Sequence, residues 1–136
     1  MLSTFLDKYK ISNKKLLVSV SGGVDSMVLC DLLIKSNLNY SIAHINYKLR
    51  GKESDDDQLF VKKYSTLNEL NFYSISYDLS NYTKSIQSKA RDIRYEHLNK
   101  IKTKYKYDYI LTAHHLDDNI ETIFLNLMRG KKNNAL

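Results

Sequence analysis

A doubly wound α/β fold, with a mostly parallel sheet and helices on both faces, is predicted for this 136-residue chain by three observations, and strand order 3-2-1-4 is the arrangement expected with it. Strand-like and helix-like stretches alternate along the whole sequence. The first strand-like run, residues 16–20, is apolar but for Ser19, as in a strand buried on both faces of a parallel sheet. A glycine-bearing turn and a long apolar helix follow it at once, which is how a βα unit begins.

A short helix is expected at 2–9, ahead of that strand. After the turn at 21–26, Met27, Val28, Leu29, Cys30, Leu32, Leu33 and Ile34 are too apolar for anything but a buried helix, with Cys30 part of its packing. Residues 40–45 read as the second strand, followed by a polar loop through Lys48, Arg50 and Gly51. Ser54 is expected to cap the next helix, with Asp55, Asp56 and Asp57 at the positive end of its dipole and Phe60, Tyr64 and Leu67 as its buried stripe. Residues 72–77 alternate apolar and serine positions, as in an edge strand with one wet face. Ile86, Ala90, Ile93 and His97 recur at helical spacing over 85–101, and 109–113 is the fourth strand. A last helix carries Ile120, Ile123, Phe124, Leu127 and Met128, with Arg129 in its final turn and Gly130 beyond it.

Composition narrows the class. Hydrophobic residues make up 43% and charged residues 26%, and no apolar run is long enough to cross a bilayer. Asp7, Lys8 and Lys10 interrupt the apolar residues at the start, unlike a secretion signal. One cysteine cannot form an internal disulfide or a thiolate metal cluster, and this fits a reducing compartment. The reading is a single soluble cytoplasmic domain without a membrane partner, and a homodimer is left open. The net charge of +6 admits a polyanionic partner without requiring one. Lys100, Lys102, Lys104 and Lys106 interleave with Tyr105 and Tyr107, which suits either nucleic-acid contact or, better, a solvated helix end.

Three segments carry chemistry. In Ser21-Gly22-Gly23-Val24-Asp25-Ser26, backbone N–H groups at a helix start converge on an anion site. Two glycines let a phosphate approach, and Ser21 and Ser26 add hydroxyls. Asp25 would repel a polyphosphate unless Mg²⁺ lies between them, so it implies a metal-nucleotide complex. The second segment, His114, His115, Asp117, Asp118, Glu121 and Thr122, follows the fourth strand. With order 3-2-1-4 it would face the first loop across one crevice. Asp118 and Glu121 share a helix face and could hold a divalent metal or an amine. The third, Ala90 to Tyr95, puts Arg91 and Arg94 on one face beside an aromatic ring, a pair suited to phosphate or carboxylate. His44 and Asn46, ending strand two, would line the same rim.

The Ser21–Ser26 segment is neither a Walker loop nor GxGxxG. It resembles the signature of the PP-loop, or N-type ATP pyrophosphatase, superfamily. Together with His44 to Arg50, Ala90 to Tyr95, His114 to Thr122 and Leu127 to Gly130, it closely resembles the tRNA(Ile)-lysidine synthetase family. Tyr47 stands where that family usually has a second histidine. The resemblance covers essentially all of residues 1–136 but only the front part of the family's proteins. The expected domain is therefore a PP-loop catalytic domain truncated on its C-terminal side.

The resemblance implies an ATP-dependent ligase. It would adenylate C2 of the first-anticodon-position cytidine of tRNA(Ile) bearing a CAU anticodon, and the L-lysine amine would then displace AMP. By the same resemblance Ser21, Gly22, Gly23, Val24, Asp25, Ser26, His44, Asn46 and His114 bind ATP, and Asp25 and Asp118 hold Mg²⁺. Asp118 and Glu121 would take the lysine amine and Arg94 position substrate, with Arg91, His115, Asp117 and Arg129 nearby. A tRNA thiolation enzyme of the superfamily is the rival, disfavoured by the solitary Cys30. An ATP-binding module without turnover is the alternative for the fragment itself.

Overall fold

The computed structural model describes residues 13–113. Within them, β1 (Leu16–Ser19), β2 (Tyr40–Asn46), β3 (Phe72–Ser76) and β4 (Tyr109–Thr112) form one sheet in the order β3-β2-β1-β4. Every neighbouring pair is parallel. The connections are α1 (Val24–Lys35), α2 (Lys52–Leu67) and α3 (Ile86–Tyr105).

The two-residue period of β1 assigns its side chains to two cores. Leu16, Val18 and Val20 pack with Leu29, Cys30 and Leu33 of α1 and Val61 of α2. Leu17 points the other way, into a cluster with Ala43, Ile110, and Leu98 and Ile101 of α3. Leu16, Leu17 and Val18 are each at most 1% exposed, so each contributes about 1.5–3 kcal/mol of hydrophobic stabilisation. That is why this strand reads as an apolar run broken only by Ser19. The placement of helices follows from right-handed crossovers. Stepping from β1 to β2 to β3 lays α1 and α2 on one face, and crossing back to β4 puts α3 on the other.

The predicted order, parallel sheet, helices on both faces and edge position of β3 therefore hold. Three details differ. Gly51, with φ of 55°, precedes α2, which starts at Lys52. Ser54 thus lies inside the first turn, and its hydroxyl accepts the Arg50 N–H at 2.9 Å instead of capping the helix. Tyr64 packs against the core as expected, but the buried residues of α2 are Val61 and Ser65, while Phe60 is 52% and Leu67 83% exposed. Leu59, Phe60 and Val61 are consecutive apolar residues, so periodicity left the face ambiguous by one position. The close approach of α2 to Gly22 selects Val61, the smallest of the three. Lastly, Tyr107 is buried, donating its hydroxyl to Ser41 Oγ at 2.7 Å and contacting the Tyr73 hydroxyl at 2.9 Å. It supports the sheet and cannot stack on a base. The helices expected at 2–9 and after residue 113 lie outside the described residues.

Candidate functional site

Between β1 and β4 the winding direction reverses, and Ser19 of β1 lies in register with Thr112 of β4. In an open parallel sheet the ligand crevice lies outside the carboxyl ends of the strands at such a point. A cleft of about 600 Å³ lies there, walled by Ser19, Val20, Thr112 and Ala113 from the two strands and by the turn residues Ser21, Gly23, Val24, Asp25 and Ser26. His44, Asn46, Arg50, Asp57 and Arg94 complete the wall from β2, the following loop, α2 and α3.

Each side chain is placed by its local chain path. Gly22 adopts φ of 95°, and a Cβ there would lie 3.2 Å from Asp57 Cβ and 3.4 Å from Val61 Cγ2. Its missing side chain therefore serves the fit of α2 against the turn as well as the turn's own conformation. Gly23 is the N-cap of α1, its carbonyl accepting the Met27 N–H at 3.1 Å. The turn amides are held by hydroxyls. Ser26 Oγ accepts the Gly22 N–H at 3.2 Å and donates to the Gly23 carbonyl at 3.0 Å, and Ser21 Oγ accepts the Gly23 N–H at 3.1 Å. A phosphate oxygen, a stronger acceptor than a hydroxyl, can take over those N–H groups at the positive end of α1. Asp25 lies in that first helical turn.

His44 and Asn46 line the cleft as expected, though each is almost buried, at 3% and 2% exposed. The His44 Nδ1 lies 2.7 Å from the Val20 carbonyl, which only accepts, so Nδ1 carries the proton and Nε2 is the lone-pair nitrogen. Burial lowers the His44 pKa below the usual imidazole value, opposed by the Val20 hydrogen bond and the charge of Asp57. Asn46 donates from Nδ2 to Asp55 Oδ1 and to Gln58 Oε1, both at 2.8 Å, and its Oδ1 accepts the Lys48 N–H at 2.9 Å. Its amide is thus committed to fixing the loop and the start of α2. Asp55 also takes Lys48 Nζ at 2.7 Å, and these partners hold its carboxyl below the ordinary range. The acidic run thus does more than complement the helix dipole.

Arg94 enters the cleft wall from α3, its guanidinium 5.2 Å from the centroid of the Tyr95 ring. Its Nε is buried and, among the described residues, has no hydrogen-bond partner. Arg91 lies over the same ring at 5.4 Å but is exposed and does not line the cleft. Tyr47 donates its hydroxyl to the Ala90 carbonyl at 3.0 Å, pinning the loop after β2 to α3. Burial raises its pKa, opposed by Arg94, so it serves as a tether and not as a base. Sequence reasoning missed Arg50 and Asp57 as cleft residues. The signals were the place of Arg50 at the end of the family-like segment His44 to Arg50 and the acidic run that follows it.

The candidates His114, His115, Asp117, Asp118, Glu121, Thr122 and Arg129 lie outside the described residues. Among the described ones, no group of three His, Cys, Asp or Glu side chains could hold a metal. Mg²⁺ needs only one or two carboxylates beside phosphate oxygens, so Asp25 at the phosphate turn fits its donor chemistry.

A glycine-turned anion site at the switch point is a nucleotide-phosphate geometry, and comparison with known proteins agrees. The PP-loop domain model matches residues 2–136. The chain belongs to the PP-loop domain family. Among similar proteins are the tRNA(Ile)-lysidine synthases of Clostridium tetani, 39% identical over 92% of this chain and 29% of the relative, and of Parabacteroides distasonis, 33% identical over 93% and 30%. That of Bacillus subtilis is 34% identical over 93% of this chain and 29% of its own length. The PP-loop chain thus spans less than a third of these relatives. No helix among its described residues is long and apolar enough to cross a membrane.

Proposed function

We propose that residues 1–136 form the N-type ATP pyrophosphatase domain of a tRNA(Ile)-lysidine synthase, a cytoplasmic ligase that joins lysine to a tRNA base through a carbon–nitrogen bond. The observation that carries this reading is similarity to relatives of that name, at 33–39% identity across about nine-tenths of the chain. It is supported by a phosphate turn lining a cleft wide enough for a nucleotide.

In this reading the N–H groups of Gly22 and Gly23 and the hydroxyls of Ser21 and Ser26 hold the pyrophosphate portion of ATP. The C2 oxygen of the first-anticodon cytidine of tRNA(Ile), in its CAU anticodon, attacks the α-phosphorus. The bond to the pyrophosphate oxygen breaks, and pyrophosphate leaves. The ε-amine of L-lysine then attacks C2, the C2–O bond breaks, AMP departs with the oxygen, and the amine loses its proton. Mg²⁺, when bound at Asp25 and Asp118, would neutralise charge at the phosphates. Arg94 positions substrate, a role supported by its place in the cleft wall and its buried Nε. Asp118 and Glu121 are assigned the cationic amine. His44 and Asn46 act on ATP indirectly, through the Val20 carbonyl and the β2–α2 loop. His114 is assigned to the nucleotide, with Arg91, His115, Asp117 and Arg129 around it.

The thiolation alternative asks for a reactive cysteine. Cys30 is fully buried, and burial pushes its pKa up to about 11, the opposite of activation.

The test incubates the complete gene product with unmodified tRNA(Ile), ATP and lysine and analyses the first anticodon nucleoside. Lysidine with lysine-dependent release of AMP is expected. ATP binding without any change at that base, or sulfur at the base when a sulfur donor is supplied, would sink the reading.

A further inference from the structure

The last side chain of the β2–α2 loop faces the phosphate turn with a charge that the proposed chemistry leaves unused. Arg50 Nη1 donates to Glu53 Oε2 at 3.3 Å, and Nη2 donates to Asp57 Oδ2. Asp57 is the residue that α2 presses onto the turn: a Cβ on Gly22 would sit 3.5 Å from its carboxyl carbon. Arg50 and Asp57 line the same cleft as Ser21, Gly23 and Asp25. A carboxylate so close to an anion site opposes an entering polyphosphate, because Coulomb repulsion falls only with the first power of distance.

The two contacts of Arg50 are unequal. Asp57 has a side chain 31% exposed, whereas Glu53 is 72% exposed. Exposed pairs such as the one to Glu53 are held weakly and exchange readily. A guanidinium carries five donors in a planar fork, so one edge can stay on Asp57 while the other takes a new oxyanion. Arg50 has room to do this, its own side chain being 60% exposed.

We propose that Arg50 is a binding residue for the terminal phosphates of the nucleotide: it gives up Glu53 for a phosphate oxygen while remaining on Asp57. Its charge is thereby shared between the carboxylate that opposes the ligand and the ligand itself. Asp57 holds the guanidinium at the turn and at the same time weakens the binding it helps to position. This inference rests on the nucleotide reading of the cleft.

The experiment is a double-mutant cycle on the complete gene product, measuring equilibrium binding of ATP and, separately, AMP by calorimetry in Mg²⁺ buffer. Arg50→Ala should weaken ATP by about tenfold or more, the weight of a charge-assisted hydrogen bond, and leave AMP within about twofold because AMP lacks the terminal phosphates. Asp57→Asn should tighten ATP. Within the Asp57→Asn background, Arg50→Ala should still weaken ATP by about fivefold or more. If it costs nothing there, Arg50 acts only by neutralising Asp57 and the proposal is overturned. Equal losses for ATP and AMP would overturn it too. Arg50→Lys, which keeps the charge without the fork, should fall between wild type and Arg50→Ala. A wild-type protein that binds no ATP would defeat the nucleotide reading itself, whereas normal wild-type binding with a flat cycle defeats only the role of Arg50.

Discussion

His44 donates its Nδ1–H to the carbonyl of Val20 at 2.7 Å, tying the middle strand of one βα unit to the residue from which the phosphate turn departs. The ring is buried, and burial lowers its pKa from 6.5 against the opposing pull of the Val20 bond and the Asp57 charge. His97 is lowered as well, by burial first and then by the charges of Lys100 and His44. For both groups the unfolded chain binds the proton more tightly than the folded one. Their contribution is therefore complete above 6.5 and is lost as the pH falls through the folded-state values. Urea unfolding at pH 7.5 and pH 5.5, compared between wild type and His44→Asn, checks this. The asparagine keeps a donor for Val20 without titrating. The variant should lose less stability on acidification, and equal losses would refute the role of His44.

Gly22 and Gly23 should differ sharply under the same substitution. Gly22→Ala places a Cβ at φ of 95° and 3.2 Å from Asp57 Cβ, which should cost about 2 kcal/mol of unfolding free energy and weaken ATP binding. Gly23 has φ of −76°, open to any residue, so Gly23→Ala should cost no more than about 1 kcal/mol, the scale of a changed N-cap. Chemical denaturation of the two variants, with ATP titrations alongside, reads both effects.

The Asn46 side chain holds three hydrogen bonds while almost wholly buried. Asn46→Ala leaves Gln58 and the Lys48 N–H without this partner and should cost about 2–3 kcal/mol. Asn46→Asp should be worse at neutral pH, since it sets a second carboxylate against Asp55. That excess should shrink as the pH approaches 4, a trend that denaturation curves across the acid range would expose.

The Cys30 thiol, with its pKa moved from 9.0 to about 11, has about a hundredfold less thiolate at pH 8 than an ordinary cysteine. Native protein should resist iodoacetamide, and the same protein in denaturant should react fully. Mass spectrometry of the alkylated chain distinguishes the two, and rapid native labelling would contradict the buried packing of α1.

The two-faced burial of β1 was legible because Leu16, Leu17 and Val18 are consecutive apolar residues, the pattern of a strand covered on both sides. The phosphate turn was legible because two glycines flanked by serines at the start of a buried helix are contiguous residues that let an anion approach the backbone. The inward face of α2 was not, because Leu59, Phe60 and Val61 offer the same hydrophobicity at neighbouring angles. His44 and Asn46 line the cleft as expected, but their burial and their bonds to the protein itself were not legible. A polar residue at a strand end reads as a site residue whether it faces a ligand or the protein's own carbonyls.

From sequence alone came the βα alternation, the anion turn and the family resemblance, all of them properties of contiguous residues. Tertiary structure decided which side chains share the cleft: Arg50 and Asp57 joined it, Arg91 was left outside, and Asn46 was spent on Asp55 and Gln58. The reason is that hydrogen-bond and ion partners are chosen by distance between elements far apart in the chain, and local pattern carries no record of that distance.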